Sequence, residues 1–164
     1  MLPIFFAFSA ILIRLALFYL GYENNDTSRY LILMHILFIL LSVFFAAMNF
    51  SKAFPQRNHF TQHLKIGFKG GAVYTLIITA FLGIYYGLIN NATFMAKRDT
   101  LIAAQIEAGG DQLDADAITR LTENIESFFT VLNYCTITFI SFLLVSFVYA
   151  AGVAILIRLL KKLK

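Results

Sequence analysis

The chain has 164 residues, of which 60% are hydrophobic and 13% are charged, and its mean hydropathy is +0.77. Because an ordinary soluble domain has about a quarter of its residues charged, this composition excludes a water-soluble globular domain and indicates a protein in contact with the lipid bilayer. The net charge of +4 accompanies no nucleic-acid-binding motif, so nucleic acid is not an expected partner, and the single Cys135 excludes a disulfide framework and a thiolate metal site.

Four apolar stretches are each long enough to cross a membrane as a helix, which takes about 20 residues. They comprise residues 2–22, 30–50, 66–90 and 133–157. The first stretch has no basic segment before it and no small-residue cleavage site after it, so we expect it to be retained. The chain should therefore form one all-α domain over residues 1–164, a four-helix transmembrane bundle with an extracytoplasmic helical hairpin at 91–127.

Arg14 interrupts the first apolar stretch, and its neighbours on one helix face are small: Ala7, Ala10 and Gly21. We therefore expect Arg14 to face another helix. An arginine facing lipid at the helix centre costs at least about 2.5 kcal/mol, so Arg14 should have a partner. None of the four stretches contains Asp or Glu. The partner must then be neutral polar groups, water, a bound anion or another subunit.

Polar residues in the middle and outer halves of the stretches are candidates for surrounding Arg14. Together they predict a cationic pocket that opens to the outer side of the membrane. Its predicted members are Arg14, Tyr19, His35, Tyr85, Tyr86, Asn133 and Tyr134. The alternative is that these groups only form hydrogen bonds between helices, each contributing about 0.6 kcal/mol. His59 and His63 lie four residues apart without a third ligand, so we expect no metal and no cofactor.

The third stretch has a small residue at every fourth position, which lets helix backbones approach closely in a membrane. We predict that this helix packs against its neighbours through Gly67, Gly71, Thr75, Thr79, Gly83 and Gly87. The fourth stretch has a shorter pattern of this kind in Ser146, Ala150 and Ala154. The stripe could serve one bundle or a contact between subunits.

The charges are sorted between the two sides of the membrane. All nine acidic residues fall in the connections 23–29 and 91–127, whereas residues 52–69 and 158–164 contain basic residues and no acid. Since basic connections stay cytoplasmic, we predict a multi-pass protein of the bacterial inner membrane with both termini in the cytoplasm. The basic residues either only set this topology or also bind anionic lipid headgroups. The headgroup candidates are Lys52, Arg57, Lys65, Lys69, Arg158, Lys161 and Lys162.

Residues 91–127 predict two helices. Thr93 is a candidate cap for a helix that runs to about Ala108, where Gly109 and Gly110 end it. Asp114 or Asp116 can cap the second helix. Its apolar stripe runs into the fourth stretch without Pro or Gly, which predicts one continuous helix from Ala115 to Leu160. The stripe comprises Ile118, Leu121, Ile125, Phe128 and Leu132.

The order of these segments resembles a known family. The segment Thr61-Gln-His-Leu-Lys-Ile-Gly67 leads into a glycine-rich third stretch that ends in Ile84-Tyr-Tyr-Gly-Leu-Ile-Asn90, and an acidic helix pair and a last stretch follow. Over nearly the whole chain this pattern is similar to a family of small inner-membrane proteins common in Bacteroidota, catalogued as domain of unknown function 4199. The resemblance implies four spans, no established activity, and partners in membrane glycosyltransferase or envelope-assembly machinery.

The small size, the lack of a catalytic constellation and the long small-residue stripe favour a non-enzymatic accessory or scaffold subunit. It would contact a membrane-protein partner or a second copy of the chain in an inner-membrane assembly related to the envelope or its glycans. The alternative is a binder or transporter of an anionic small molecule or lipid phosphate through Arg14. An enzyme is the least favoured class, since only His35 could act as a general base.

Overall fold

The computed structural model describes residues 2–22, 25–56, 59–110 and 114–162, and for 25, 26, 28, 161 and 162 only the backbone. These ranges form helices and contain no strand. In chain order the helices are α1 (Leu2–Tyr19), α2 (Asn25–Ala53), α3 (Phe60–Ile84), a π-helical turn (Tyr85–Ile89), α4 (Asn91–Gly109), α5 (Ala115–Phe128) and α6 (Val131–Lys162).

Four of the helical segments are long and apolar enough to cross a membrane. They are Leu2–Tyr19, Arg29–Ala53, Phe60–Ile89 and Val131–Leu160. The predicted number is therefore confirmed for candidate segments, which could span a membrane by their length and composition. Three of them extend beyond the predicted limits, because polar residues at the ends of a hydrophobic stretch continue the same helix.

The chain divides into two compact units, which are described separately. The first comprises residues 1–79 and 139–164 and contains α1, α2, most of α3 and most of α6. In this unit α1 packs on α2, and the Phe6 ring lies 5.6 Å from that of Phe38 and 6.0 Å from that of Phe45. Small side chains such as Ala7, Ala47 and Ala154 are completely buried, which allows the helices to approach closely.

Glycines of α3 determine its distance from α2 and α6. A Cβ atom added at Gly70 would lie 2.6 Å from Ala46 Cβ and 2.8 Å from the Ser42 carbonyl oxygen on α2. At Gly71 it would lie 2.6 Å from Ser146 Oγ on α6, and at Gly67 it would lie 3.2 Å from Val43 Cγ1 on α2. Real Cβ atoms essentially never come closer than 3.0 Å to such neighbours. Any larger residue at Gly70 or Gly71 must therefore push the helices apart.

The predicted stripe does not describe all these contacts. Gly70 is the glycine nearest to the α2 backbone, although it lies outside the four-residue repeat. Gly87 belongs to the repeat but is exposed, and no atom lies within 4 Å of an added Cβ there. The packing prediction is therefore wrong for Gly87 within the chain. Elsewhere in the stripe, Thr75 is buried and Thr79 is half-buried. A Cβ atom added at Gly83 would lie 3.7 Å from Cys135 Sγ, which is an ordinary van der Waals contact.

The second unit, residues 80–138, contains the π-helical turn, α4, α5 and the start of α6. Helices α4 and α5 contact each other, and Arg98 of α4 forms an ion pair of 3.2 Å with Glu126 of α5. Gly110 ends α4 in the left-handed region at φ 53°. Asp114 caps α5, since its side chain accepts a hydrogen bond of 2.7 Å from the Ala117 amide.

Two predictions about this unit are wrong. The cap of α4 is Asn90 and not Thr93, because the Asn90 side chain accepts a hydrogen bond of 3.4 Å from the Thr93 amide. The predicted continuous helix breaks at Phe129 and Thr130. Thr130 Oγ1 accepts a hydrogen bond of 3.2 Å from the Asn133 amide, which starts a new helix at Val131. This side-chain cap breaks the helix without Pro or Gly.

The glycine contacts predict a selective effect of Gly70→Ala. The added methyl group meets α2 backbone, so the free energy of unfolding should fall by about 1–3 kcal/mol. The matched control is Gly152→Ala in α6, where an added Cβ meets no atom within 4 Å; its stability should stay equal or rise slightly. Equilibrium unfolding in mixed detergent micelles, followed by far-UV circular dichroism, measures both. Equal stability of the two variants would contradict the close approach.

Candidate functional site

An interior polar cluster in the first unit consists of Arg14 on α1, His35 on α2 and Tyr74 on α3. All three are buried, with exposed fractions of 6%, 4% and 0%. A hydrogen bond of 2.7 Å joins His35 Nδ1 and Tyr74 Oη, and the imidazole tautomer decides which of them donates. His35 Nε2 is also buried and has no hydrogen-bond partner among the described residues. The cluster therefore holds a buried polar imidazole in the interior of the first unit.

Arg14 lies within this cluster as its small neighbours predict. Ala7 and Ala10, on the same face of α1, are completely buried. Arg14 is close enough to His35 for the two side chains to interact electrostatically. Because the spanning segments contain no Asp or Glu, the guanidinium charge is not neutralised by a carboxylate of those segments. The region around Arg14 and His35 thus favours anions and neutral acceptors.

Tyr74 was missing from the predicted pocket. The prediction gathered polar residues from the middle and outer halves of the stretches, whereas Tyr74 lies in the first half of the stretch 66–90. The signal that could have found it is chemical, since a tyrosine in the middle of a spanning helix needs a partner for its hydroxyl group. The Phe142 ring, 5.7 Å from that of His35, closes the cluster from α6.

Tyr19 does not belong to the cluster, and its inclusion was wrong. Its side chain is 79% exposed. Tyr19 follows Arg14 by five residues, which places the two side chains about 140° apart around the helix axis. The ring packs instead on its neighbour Phe18, at a centroid distance of 5.3 Å.

The other four predicted pocket residues lie in the second unit. Tyr85 and Tyr86 of the π-helical turn are both buried. Tyr85 Oη accepts a hydrogen bond of 3.0 Å from Asn90 Nδ2, and Tyr86 Oη accepts one of 3.3 Å from Lys97 Nζ. The Tyr86 ring also lies 5.3 Å from that of Tyr134. These contacts tie the turn to α4 and α6.

Asn133 has a structural role in the second unit. Its Nδ2 donates a hydrogen bond of 2.8 Å to the Phe128 carbonyl oxygen, while its amide donates to Thr130. The side chain therefore joins the end of α5 to the start of α6. This bond uses one N–H of the side-chain amide, and the predicted pocket role of Asn133 stays a prediction.

The basic headgroup candidates are exposed where the structure describes them, namely at Lys52, Lys65, Lys69 and Arg158. Arg57 and the side chains of Lys161 and Lys162 lie outside the described residues. Over the described ranges, no group of three or more His, Cys, Asp or Glu residues could hold a metal ion.

No protein-family model matches the chain, and no curated protein and no solved structure matches it either. The resemblance to the family of domain of unknown function 4199 therefore stays a prediction from the sequence motifs. The features of this chain that bear on function are the interior polar cluster, the surface of α4 and α5, and the basic residues.

The hydrogen bond between His35 and Tyr74 predicts a cost for Tyr74→Phe. Removing the hydroxyl leaves His35 Nδ1 buried without a partner, so the free energy of unfolding should fall by about 1–3 kcal/mol. Tyr149→Phe is the control, because the half-buried Tyr149 has no hydrogen-bond partner among the described residues; its change should stay within about 0.5 kcal/mol. The same unfolding titration in mixed micelles measures both variants.

A double-mutant cycle separates this bond from general packing. In a His35→Leu background the Tyr74 hydroxyl has lost its partner, so Tyr74→Phe should then cost nothing or stabilise the fold. If Tyr74→Phe costs the same with and without His35, the hydrogen bond does not contribute to stability.

Proposed function

We propose that this protein is a non-enzymatic accessory or scaffold subunit of a bacterial inner-membrane assembly. Both termini are cytoplasmic in this proposal, and α4 and α5 form the hairpin on the extracytoplasmic side. The family resemblance extends the proposal to an assembly related to the envelope or its glycans. The sorting of charges supports this orientation, since the acidic residues lie in 23–29 and 91–127 and the acid-free basic segments lie in 52–69 and 158–164.

The observation that carries the proposal is an open groove along α4 and α5. The groove has a volume of about 760 Å³ and combines apolar and charged side chains. Its lining includes Leu101 and Gln105 of α4 with Asp116, Arg120, Leu121 and Ile125 of α5. None of the residues of α5 is fully buried, although the helix is strongly amphipathic. An apolar stripe that its own unit covers only in part is typical of a surface that binds another protein.

The charges of this surface indicate the kind of partner. Residues 91–127 contain three basic and seven acidic residues, which gives a net charge of −4. Asp114 and Asp116 lie at one end of the groove. We therefore infer that the occupant is a basic amphipathic helix belonging to an integral-membrane partner. Its apolar side would cover Leu121 and Ile125, and its basic side chains would face the two aspartates.

Photo-crosslinking in intact cells tests this proposal. A photoreactive amino acid at Leu121 should give a discrete adduct with one integral-membrane protein that carries such a helix. The control position is Glu123, which is exposed on α5 and does not line the groove; it should give no adduct. Asp116→Lys, combined with the probe at Leu121, should reduce the adduct at least fivefold.

The mass and the yield of the adduct, measured by mass spectrometry, can each contradict the proposal. An adduct of twice the chain mass would identify a second copy as the occupant. Equal labelling from both positions, or no adduct from Leu121, would remove the groove as a docking surface.

The interior polar cluster favours one second candidate function, a binder or transporter of an anionic molecule. The supporting observation is the burial of Arg14 beside His35 in segments that contain no carboxylate. In this candidate function, Arg14 is the charged contact and His35 Nε2 supplies a hydrogen bond. A small anion or a lipid phosphate is the class of ligand that a guanidinium and an imidazole N–H bind together.

Inorganic phosphate is a simple probe of this candidate. If the cluster binds it, sodium phosphate should raise the thermal midpoint of the purified protein above that in sodium chloride at equal ionic strength, because a ligand of the native state stabilises it. The increase should disappear in Arg14→Gln and remain in Arg14→Lys. An increase that survives Arg14→Gln, or none in the unmodified chain, would contradict phosphate binding by Arg14.

A further inference from the structure

A cavity of about 350 Å³ in the first unit lies where α1, α2 and α3 meet. The first turn of α1, residues 2–4, forms one wall, and Asn49 near the end of α2 forms another. From α3 come Ile66, Lys69, Gly70 and Val73. Arg14 lies ten residues beyond Ile4 on α1, about 15 Å farther along the helix axis, so this cavity is distinct from the interior polar cluster.

The polar groups in the cavity suit an anion. Lys69 carries an ammonium group with three donors, and Asn49 adds an amide that can donate. Both side chains are exposed, and neither has a hydrogen-bond or ion-pair partner among the described residues. No acidic residue occurs between Thr27 and Arg98, or between Leu2 and Tyr22, so no carboxylate near in sequence competes for the ammonium.

The position of the cavity suits a lipid headgroup in particular. Its lining comes from the ends of three spanning segments: the start of α1, the last turns of α2 and the early turns of α3. At each of these three ends, the predicted stretch changes from polar to apolar residues. In a bilayer, the lipid phosphates lie at the depth of this change. The apolar Ile66 and Val73 occupy the same wall as Lys69. They offer contacts to the upper part of an acyl chain.

We infer that this cavity binds the headgroup of an anionic phospholipid. Lys69 Nζ contacts the phosphate as the charged donor, the Asn49 amide donates a second hydrogen bond, and the first acyl carbons lie along Ile66 and Val73. Gly70 keeps the cavity's shape, because a larger residue there would push α3 away from Ala46 and Ser42. This site goes beyond the proposed accessory function and does not depend on it.

Native mass spectrometry of the full chain, titrated with phosphatidylglycerol in mild detergent, tests the inference. We expect the unmodified chain to bind one phosphatidylglycerol at least fivefold more tightly than phosphatidylcholine, whose headgroup has no net charge. Lys69→Gln should weaken this binding about fivefold, and Asn49→Ala should weaken it measurably, whereas Lys69→Arg should retain most of it. Circular dichroism confirms that each variant keeps its helical fold.

The matched control is Lys65→Gln. Lys65 is an exposed lysine one turn before Lys69 on the same helix, but it does not line the cavity. Its removal should change the affinity less than twofold. Equal losses in Lys65→Gln and Lys69→Gln would show attraction to a basic surface only and would overturn the inference. Equal binding of the two lipids would overturn it too.

A soluble probe separates the lipid from a free phosphate ester. Glycerol 3-phosphate at millimolar concentration should not displace phosphatidylglycerol, because it lacks the acyl chains that contact Ile66 and Val73. Displacement would show that the phosphate ester alone is the ligand and would overturn the assignment to a lipid. The crosslinking from Leu121 is independent of Lys69, so its result and the lipid titration cannot be confused.

Discussion

The close approach of α3 to α2 at Gly70 is the contact on which both sites of the first unit depend. Where α3 backbone meets the carbonyl group of Ser42, no side chain separates the two helices. One turn farther along α3, this spacing brings the Tyr74 hydroxyl to 2.7 Å from His35. Beside the same crossing lies the cavity that Lys69 and Asn49 line. The missing Cβ at Gly70 thus contributes to the geometry of the interior polar cluster and of the cavity lined by Lys69 and Asn49.

Packing of this kind is what a membrane helix can use in place of hydrophobic collapse. Lipid tails are as apolar as leucine, so helices associate through van der Waals contact and polar bonds and gain little from leaving the solvent. The exposed apolar residues on the outside of the helices, among them Leu12, Leu76 and Leu144, fit such an environment. The buried positions combine large side chains such as Ile39 and Ile78 with small and polar ones, including Ala10, Ser42 and Ser146.

The four spanning segments and the burial of Arg14 could be predicted because both follow from local composition. A 20-residue apolar stretch has few alternatives to a helix, and Ala7 and Ala10 mark the face on which Arg14 lies. Tyr74 and Gly70 could not be found in the same way, since their importance depends on which residues of α2 lie opposite them. The break at Thr130 was missed because a side-chain cap competed with a helix that no Pro or Gly interrupts. Tyr19 was misplaced because its direction around the helix was not considered.

The π-helical turn has a consequence for how the chain tolerates changes in length. In this turn the Asn90 amide bonds to the Tyr85 carbonyl oxygen, five residues back, at 2.7 Å. A regular helix closes the same bond over four residues, so the turn contains one residue more than an α-helix requires. Deleting one residue between Tyr86 and Ile89 would place Asn90 four residues after Tyr85, so the same two groups would close a regular α-helical hydrogen bond. Asn90 would keep its side of the helix and its place at the start of α4. A single-codon deletion here should therefore be better tolerated than one within α3, where every following residue would rotate by about 100° around the helix axis.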